Sequence, residues 1–282
     1  MLISPPAQWP EHKVGFRVIG SLVGVLAFAA MSAAVGVVAA VDGDVAPLKY
    51  CLVISVLFLL VAAYGTITQI RFQHRVADIL SSTDGGRPAT VLRYGLAQFG
   101  LLVTIMSLIS VAFLGAIVDS RVSSGYSGIP SESVVYAVLA LYFGSFPLAV
   151  VLHRLRRGEI ILSEGGIRQM GWSFCSFLPW ESILGAEATF DGYRMILVYG
   201  RKGVEWDRRC TVFHWKIEQL PPVPMIQFDC RKFAIDSVVL YHFLKFYVDN
   251  PQVRGELGTD VAIERARSLA ELGYHPERGP SL

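Results

Sequence analysis

The chain has 282 residues, 53% of them hydrophobic and only 17% charged, with a mean hydropathy of +0.48; soluble domains carry about 25% charged residues, so a membrane protein is expected, and disorder, collagen-like repeats and a disulfide scaffold are excluded. The net charge of +2 conceals a division: residues 1–157 hold 11 Lys/Arg against 7 Asp/Glu, giving +4, whereas residues 158–282 hold 14 against 16, giving −2. The second part lacks the cationic surface that phosphate neutralisation requires, so nucleic acid is not an expected partner.

Four apolar runs come first: Val18–Val41, Tyr50–Ile70, Leu96–Val118 and Val134–Leu152. None contains Asp, Glu, Lys or Arg, and each is near the ~20 residues a helix needs to cross a ~30 Å hydrocarbon core. The sequence therefore predicts a four-helix transmembrane domain over residues 1–157. The first run follows Lys13 and Arg17 and ends in small residues, as a secretory signal would. Its 24 residues exceed the 7–15 of a usual signal core, so it is read as a span.

Orientation follows from the Lys/Arg balance of the flanks. Lys13, Arg17, Arg71, Arg75, Arg87, Arg93, Arg154, Arg156 and Arg157 lie on one side of this arrangement, and only Lys49 and Arg121 on the other, beside Asp42, Asp44, Asp119 and Glu132. Both termini are expected in the cytoplasm, with the protein in the cell membrane. Within the spans, Gly20 and Gly24 form G-x-x-x-G, and Gly36 continues a ridge of small residues that lets helix backbones approach. Gly144 and Pro147 are expected to kink the fourth span. Polar side chains at membrane depth are limited to Thr66, Thr68, Gln69, Gln98, Thr104 and several serines. Coupled pumps place ionisable groups there, so a passive anchor fits better than a transporter.

His153-Arg154-Leu155-Arg156-Arg157 follows the fourth span. Its charges hold the inside end in place, and Arg154, Arg156 and Arg157 are the candidate contacts with an anionic membrane surface. Leu152 to Leu155 can continue the helix, leaving Arg156, Arg157 and Gly158 as the link to the first candidate strand. Gly85-Gly86-Arg87-Pro88 lacks the lysine of a phosphate loop and reads as the turn between the second and third spans.

From Glu159 the periodicity becomes strand-like. Candidate strands are Ile160–Ser163, Ile167–Trp172, Ser176–Trp180, Leu184–Phe190, Met195–Tyr199, Cys210–Trp215 and Met225–Asp229. Glu164-Gly165-Gly166 is a tight hairpin in which glycine would supply positive φ, and seven short strands suggest a small barrel or sandwich. Asp236 caps a helix with Leu240, Phe243, Leu244, Tyr247 and Val248 on one face. Asn250-Pro251 ends it and can start another, Thr259-Asp260 caps a last short helix, and a loose tail begins after Gly273. The division is thus a transmembrane domain (1–157), a cytoplasmic α+β domain (158–250) and a helical extension with its tail (251–282).

Ile160-Ile161-Leu162, Gly166-Ile167-Arg168 and Leu178-Pro179-Trp180-Glu181-Ser182-Ile183, followed by a closing helix, resemble bacterial pleckstrin-homology-like (PH-like) domains over residues 158–250. Tyr247 through Pro251, with Arg254, Glu256, Leu257 and Gly258, is similar to the tail of small membrane proteins of actinobacteria. The resemblance implies a small β-barrel capped by a helix, acting as a platform for lipids, peptides or its own kind. Phosphoinositide-binding members cluster Lys/Arg in the first hairpin loop, where this chain has Glu164-Gly165-Gly166.

No G-x-S-x-G, H-E-x-x-H or Walker pattern occurs, and His74, His153 and His242 have no carboxylate or serine companion in sequence. Cys51, Cys175, Cys210 and Cys230 form no C-x-x-C pair; Cys210, His214 and Cys230 only imitate a metal site, and zinc needs more ligands. No catalytic residue, cofactor or metal is expected. The partners expected are the lipid bilayer and a protein, another molecule or a second copy. The alternative is a transport or lipid-handling component whose four helices are the working part.

Overall fold

The computed structural model describes residues 3–10, 15–69, 79–124, 131–204, 206–212, 214–215, 217–218, 221–233 and 235–272. Lys13, Arg71, His74, Arg75, Phe213 and the tail from Gly273 lie outside these residues. The chain divides into two units: a helical one of Lys13–Arg71 and Leu96–Leu155, and a strand-rich one of Met1–His12, Phe72–Gly95 and Arg156–Leu282.

The helical unit contains α1 (Phe16–Val41), α2 (Ala46–Gln69), α3 (Leu96–Ser124) and α4 (Ser131–Val151). All four are long and apolar enough to cross a membrane, at the positions read from the sequence. Consecutive helices pack as neighbours, α1 on α2, α2 on α3 and α3 on α4. Val23, Leu26, Phe28, Val111, Leu114 and Leu141 are exposed. Apolar surface on this scale suits a lipid solvent. Helix α4 runs on through Pro147.

The strand-rich unit contains β1 (Ile79–Asp84), β2 (Arg87–Arg93), β3 (Glu159–Ser163), β4 (Gly166–Met170), β5 (Phe174–Pro179), β6 (Ile183–Phe190), β7 (Arg194–Gly200), β8 (Asp207–Cys210) and β9 (Met225–Asp229), then α5 (Ser237–Asp249) and α6 (Asp260–Glu271). Its strands form two antiparallel sheets, ordered β1-β2-β3-β4-β5-β8 and β6-β7-β9. Among the described residues they do not close into the expected barrel. After β5, Trp180–Ser182 makes a 3-10 turn and carries the chain into the second sheet, leaving β8 as the neighbour of β5. Trp180 anchors that corner by donating its indole N–H to the Ser163 carbonyl at 2.7 Å.

The sheet also takes in residues 79–93, where the sequence predicts only a turn between the second and third spans. β1 and β2 form a hairpin closed by Gly85 and Gly86, at φ +58° and +83°. Two consecutive positive φ values define a type I′ turn, whose twist matches that of the flanking strands. β2 then pairs with β3 from Ala89↔Ser163 to Arg93↔Glu159. The expected strand Cys210–Trp215 is displaced toward the N-terminus, and β8 is an exposed edge. At Glu164-Gly165-Gly166 the glycines do not adopt positive φ. Gly166 is required for space, since a Cβ there would meet the Leu178 carbonyl at 2.5 Å and the Phe177 ring at 2.8 Å.

Strand β3 is buried along Ile160, Ile161, Leu162 and Ser163, as befits a central strand covered on both faces. On one face Val91 lies opposite Ile161, clustered with Ala89 and Met170. The amide of Gln169 in β4 donates to the Gln227 carbonyl of β9 at 2.9 Å and so joins the two sheets. Asp236 caps α5 by accepting from the Val238 and Val239 amides, and Val239, Leu240, Phe243, Leu244 and Tyr247 form its buried face. Asn250 and Thr259 do not cap with their side chains. They bond backward instead, to the Phe246 and Glu256 carbonyls. After a 3-10 turn over Pro251–Glu256, Gly258 lies directly on β2: its amide donates to Thr90 Oγ1 at 2.8 Å.

Candidate interaction surfaces

The three arginines after α4 are held differently. Helix α4 stops at Val151 rather than continuing through Leu155. His153 takes the left-handed conformation, φ +55°. Its amide donates to the Val150 carbonyl at 3.0 Å, and the Arg154 amide donates to that of Ala149 at 2.8 Å. These two bonds make the Schellman termination, with histidine where glycine is usual. Arg154 and Arg156 are exposed. Arg157 is half-buried and donates from Nε to the Tyr94 carbonyl, so its charge holds the strand-rich unit together.

Tyr94 is the hub of that contact. It is fully buried, lies edge-on to Phe233 at 4.8 Å and receives a hydrogen bond from Gln169 Nε2. Burial, and then the negative charge of Glu218, push its phenol far above the ordinary value. Glu218 accepts from the Trp172 amide at 2.7 Å and from the Lys232 ammonium. A second ion pair joins Arg168 to Asp84 at 3.1 Å. Burial opposes the Arg168 charge, but the Asp84 carboxylate outweighs it and raises the guanidinium's affinity for its proton. These pairs tie β1 to β4 and residue 218 to β4's end; none aligns a nucleophile with a base.

The candidate packing glycines separate as well. At Gly36 a Cβ would come within 2.7 Å of Cys51 Cβ, and nearby Ser32 donates to the Cys51 carbonyl at 2.9 Å, so Gly36 lies within the α1–α2 contact. A Cβ added at Gly20 or Gly24 would meet no other element within 4 Å. Hydroxyls in the helices are hydrogen-bonded within the unit: Thr66, Thr68 and Thr104 donate to carbonyls of their own turns, Ser110 donates to Ala140 across α3 and α4, and Ser133 to Ser120. The close approach of Gly144 to Ser110 Oγ, 2.9 Å from a Cβ, shows that this glycine serves packing.

Among the described residues no three His, Cys, Asp or Glu side chains converge as metal ligands. The cysteines are free, with Cys210 exposed and Cys230 buried.

One contact escaped the sequence reading. Trp9, preceded by Pro5 and Pro6 and followed by Pro10, is only 5% exposed. Its indole N–H donates to the Thr189 carbonyl of β6 at 2.9 Å, and its ring meets Tyr241 of α5 edge-on at 5.8 Å. The Arg194 guanidinium of β7 lies over its face at 5.5 Å. The only sequence signal was a lone tryptophan among prolines.

Comparison of the chain with protein-family models, curated proteins and solved structures gives no match.

Proposed function

We propose that this multi-pass membrane protein is an interaction or scaffold protein, whose helices anchor a PH-like binding module at the cytoplasmic face of the cell membrane. The observation that carries the reading is the pairing of β2, between α2 and α3, with β3, after α4. One sheet cannot lie on both sides of a bilayer. With the N-terminal segment also in the strand-rich unit, four crossings fit an arrangement with all three segments on one side, and the Lys/Arg-rich flanks favour the cytoplasm as that side. The seven antiparallel strands β3–β9 closed by α5 support the PH-like likeness. The self-satisfied hydroxyls and the confinement of Arg17, Lys49, Asp119, Arg121 and Glu132 to helix ends favour an anchor over a conduit.

Purification from native membranes in mild detergent tests the reading. A stoichiometric complex or a homo-oligomer, heavier than the 31.0 kDa chain, is expected. A monomer that carries ions or lipid across reconstituted vesicles would establish the transport alternative instead.

A further inference from the structure

Residues 3–10, Ile-Ser-Pro-Pro-Ala-Gln-Trp-Pro, belong to the strand-rich unit without joining any strand or helix. They lie on it as a bound peptide does. Three prolines restrict the segment beforehand, so little chain entropy is lost on docking. Trp9 is the anchor, a large rigid side chain of the kind that dominates peptide and protein recognition. Main-chain carbonyls on both sides of it are also contacted: His242 Nε2 hydrogen-bonds with that of Ser4 at 3.0 Å, and Arg194 Nη2 reaches that of Pro10 at 3.5 Å. The receiving groove is made by other elements. Arg194 is fixed by donating to Ser237 Oγ at 3.0 Å, while Tyr241 and His242 are adjacent residues of α5, stacked edge-on at 5.3 Å.

We propose that this groove, between the β6–β7 end and α5, is a recognition site for proline-flanked tryptophan peptides, and that segment 3–10 occupies it in cis as a displaceable strap. The partner is a protein carrying a Pro-Pro-x-x-Trp-Pro-like segment. A tethered ligand acts at an effective concentration of about 1 mM, so the groove is filled about ten to one when its intrinsic Kd for the segment is about a tenth of that. An incoming peptide then sees an affinity about tenfold weaker than that of the vacated groove.

The proposal deepens the interaction-module reading and has its own test. Full-length protein in detergent is titrated into a fluorophore-labelled peptide ISPPAQWP, and anisotropy is followed for wild type, Trp9→Ala, a deletion of residues 3–10, and Trp9→Ala combined with Arg194→Ala. Trp9→Ala and the deletion, whose folding is checked by cooperative thermal unfolding, are expected to bind saturably, the wild type about tenfold more weakly, and the double variant not at all. A labelled peptide with alanine in place of tryptophan should not bind. Absence of binding by both the Trp9→Ala and the deletion proteins, or equal affinity for wild type and variants, would overturn the strap. Such a failure would leave any complex purified from membranes intact, so the scaffold reading is judged separately.

Discussion

Gly258 shows how a single atom can decide a packing arrangement. Its φ is +85°, and a Cβ would fall 2.2 Å from the Ala89 amide and 2.4 Å from the Pro88 carbonyl carbon, backbone that cannot step aside. Gly85 and Gly86 have positive φ but open space around them. Gly258→Ala is therefore expected to cost about 2 kcal/mol or more, from strain and clash together, while Gly85→Ala costs about 1 kcal/mol from strain alone. Thermal unfolding of the two purified variants checks this ordering. Cys230 provides a pH-dependent counterpart. Burial, then the Asp229 carboxylate beside it, push its thiol up, so the native state keeps a proton that the unfolded chain releases above about pH 8.5. Its contribution to stability is complete below that pH and declines as pH rises beyond it. In maleimide labelling at pH 9, exposed Cys210 should react first and Cys230 only on unfolding, a sequence that mass spectrometry of the modified peptides would show.

The β1–β2 hairpin matters most among the elements, because it covers an edge. Without it, β3, buried on both faces, would present a bare apolar strand, a template for aggregation. A fragment of residues 156–272 is therefore expected to aggregate, whereas the same fragment joined through a flexible linker to residues 79–95 should stay soluble and unfold cooperatively. Size-exclusion chromatography distinguishes the two outcomes, and equal solubility would show that the hairpin is dispensable. The hairpin also carries the weakest strand signal in the sequence. Ser81, Ser82 and Thr83 in β1 are exposed and polar, and Pro88 lowers the strand character of β2. Pro88 is tolerated because the pairing with β3 begins only at Ala89. Only Gly85-Gly86 signalled the turn. The four spans were legible because a bilayer sets a minimum length for an uncharged run, β3 because it is a short apolar run bounded by turn residues, and β5, β6, β7 and β9 because buried positions alternate with more exposed ones. Trp9 was not legible, since its contact with Thr189 spans 180 positions and no local pattern encodes it.

At the scale of the whole molecule, one chain alternates between two units. The N-terminal segment, the hairpin between α2 and α3, and the region after α4 fold together, with the transmembrane helices interposed along the sequence. The candidate surface arginines divide accordingly: Arg157 is committed to the Tyr94 carbonyl, while Arg154 and Arg156 stay exposed. Of the small-residue ridge, Gly36 serves the α1–α2 contact and Gly20 and Gly24 face open space. The most direct test of the assembly is sidedness. In a chain with its four cysteines replaced, single cysteines are placed at the exposed positions Asp44, Ser82 and Lys202, and intact cells are treated with a membrane-impermeant maleimide. The account predicts labelling of Asp44→Cys in intact cells, and of Ser82→Cys and Lys202→Cys only after permeabilisation. Labelling of Ser82→Cys or Lys202→Cys from outside would contradict it.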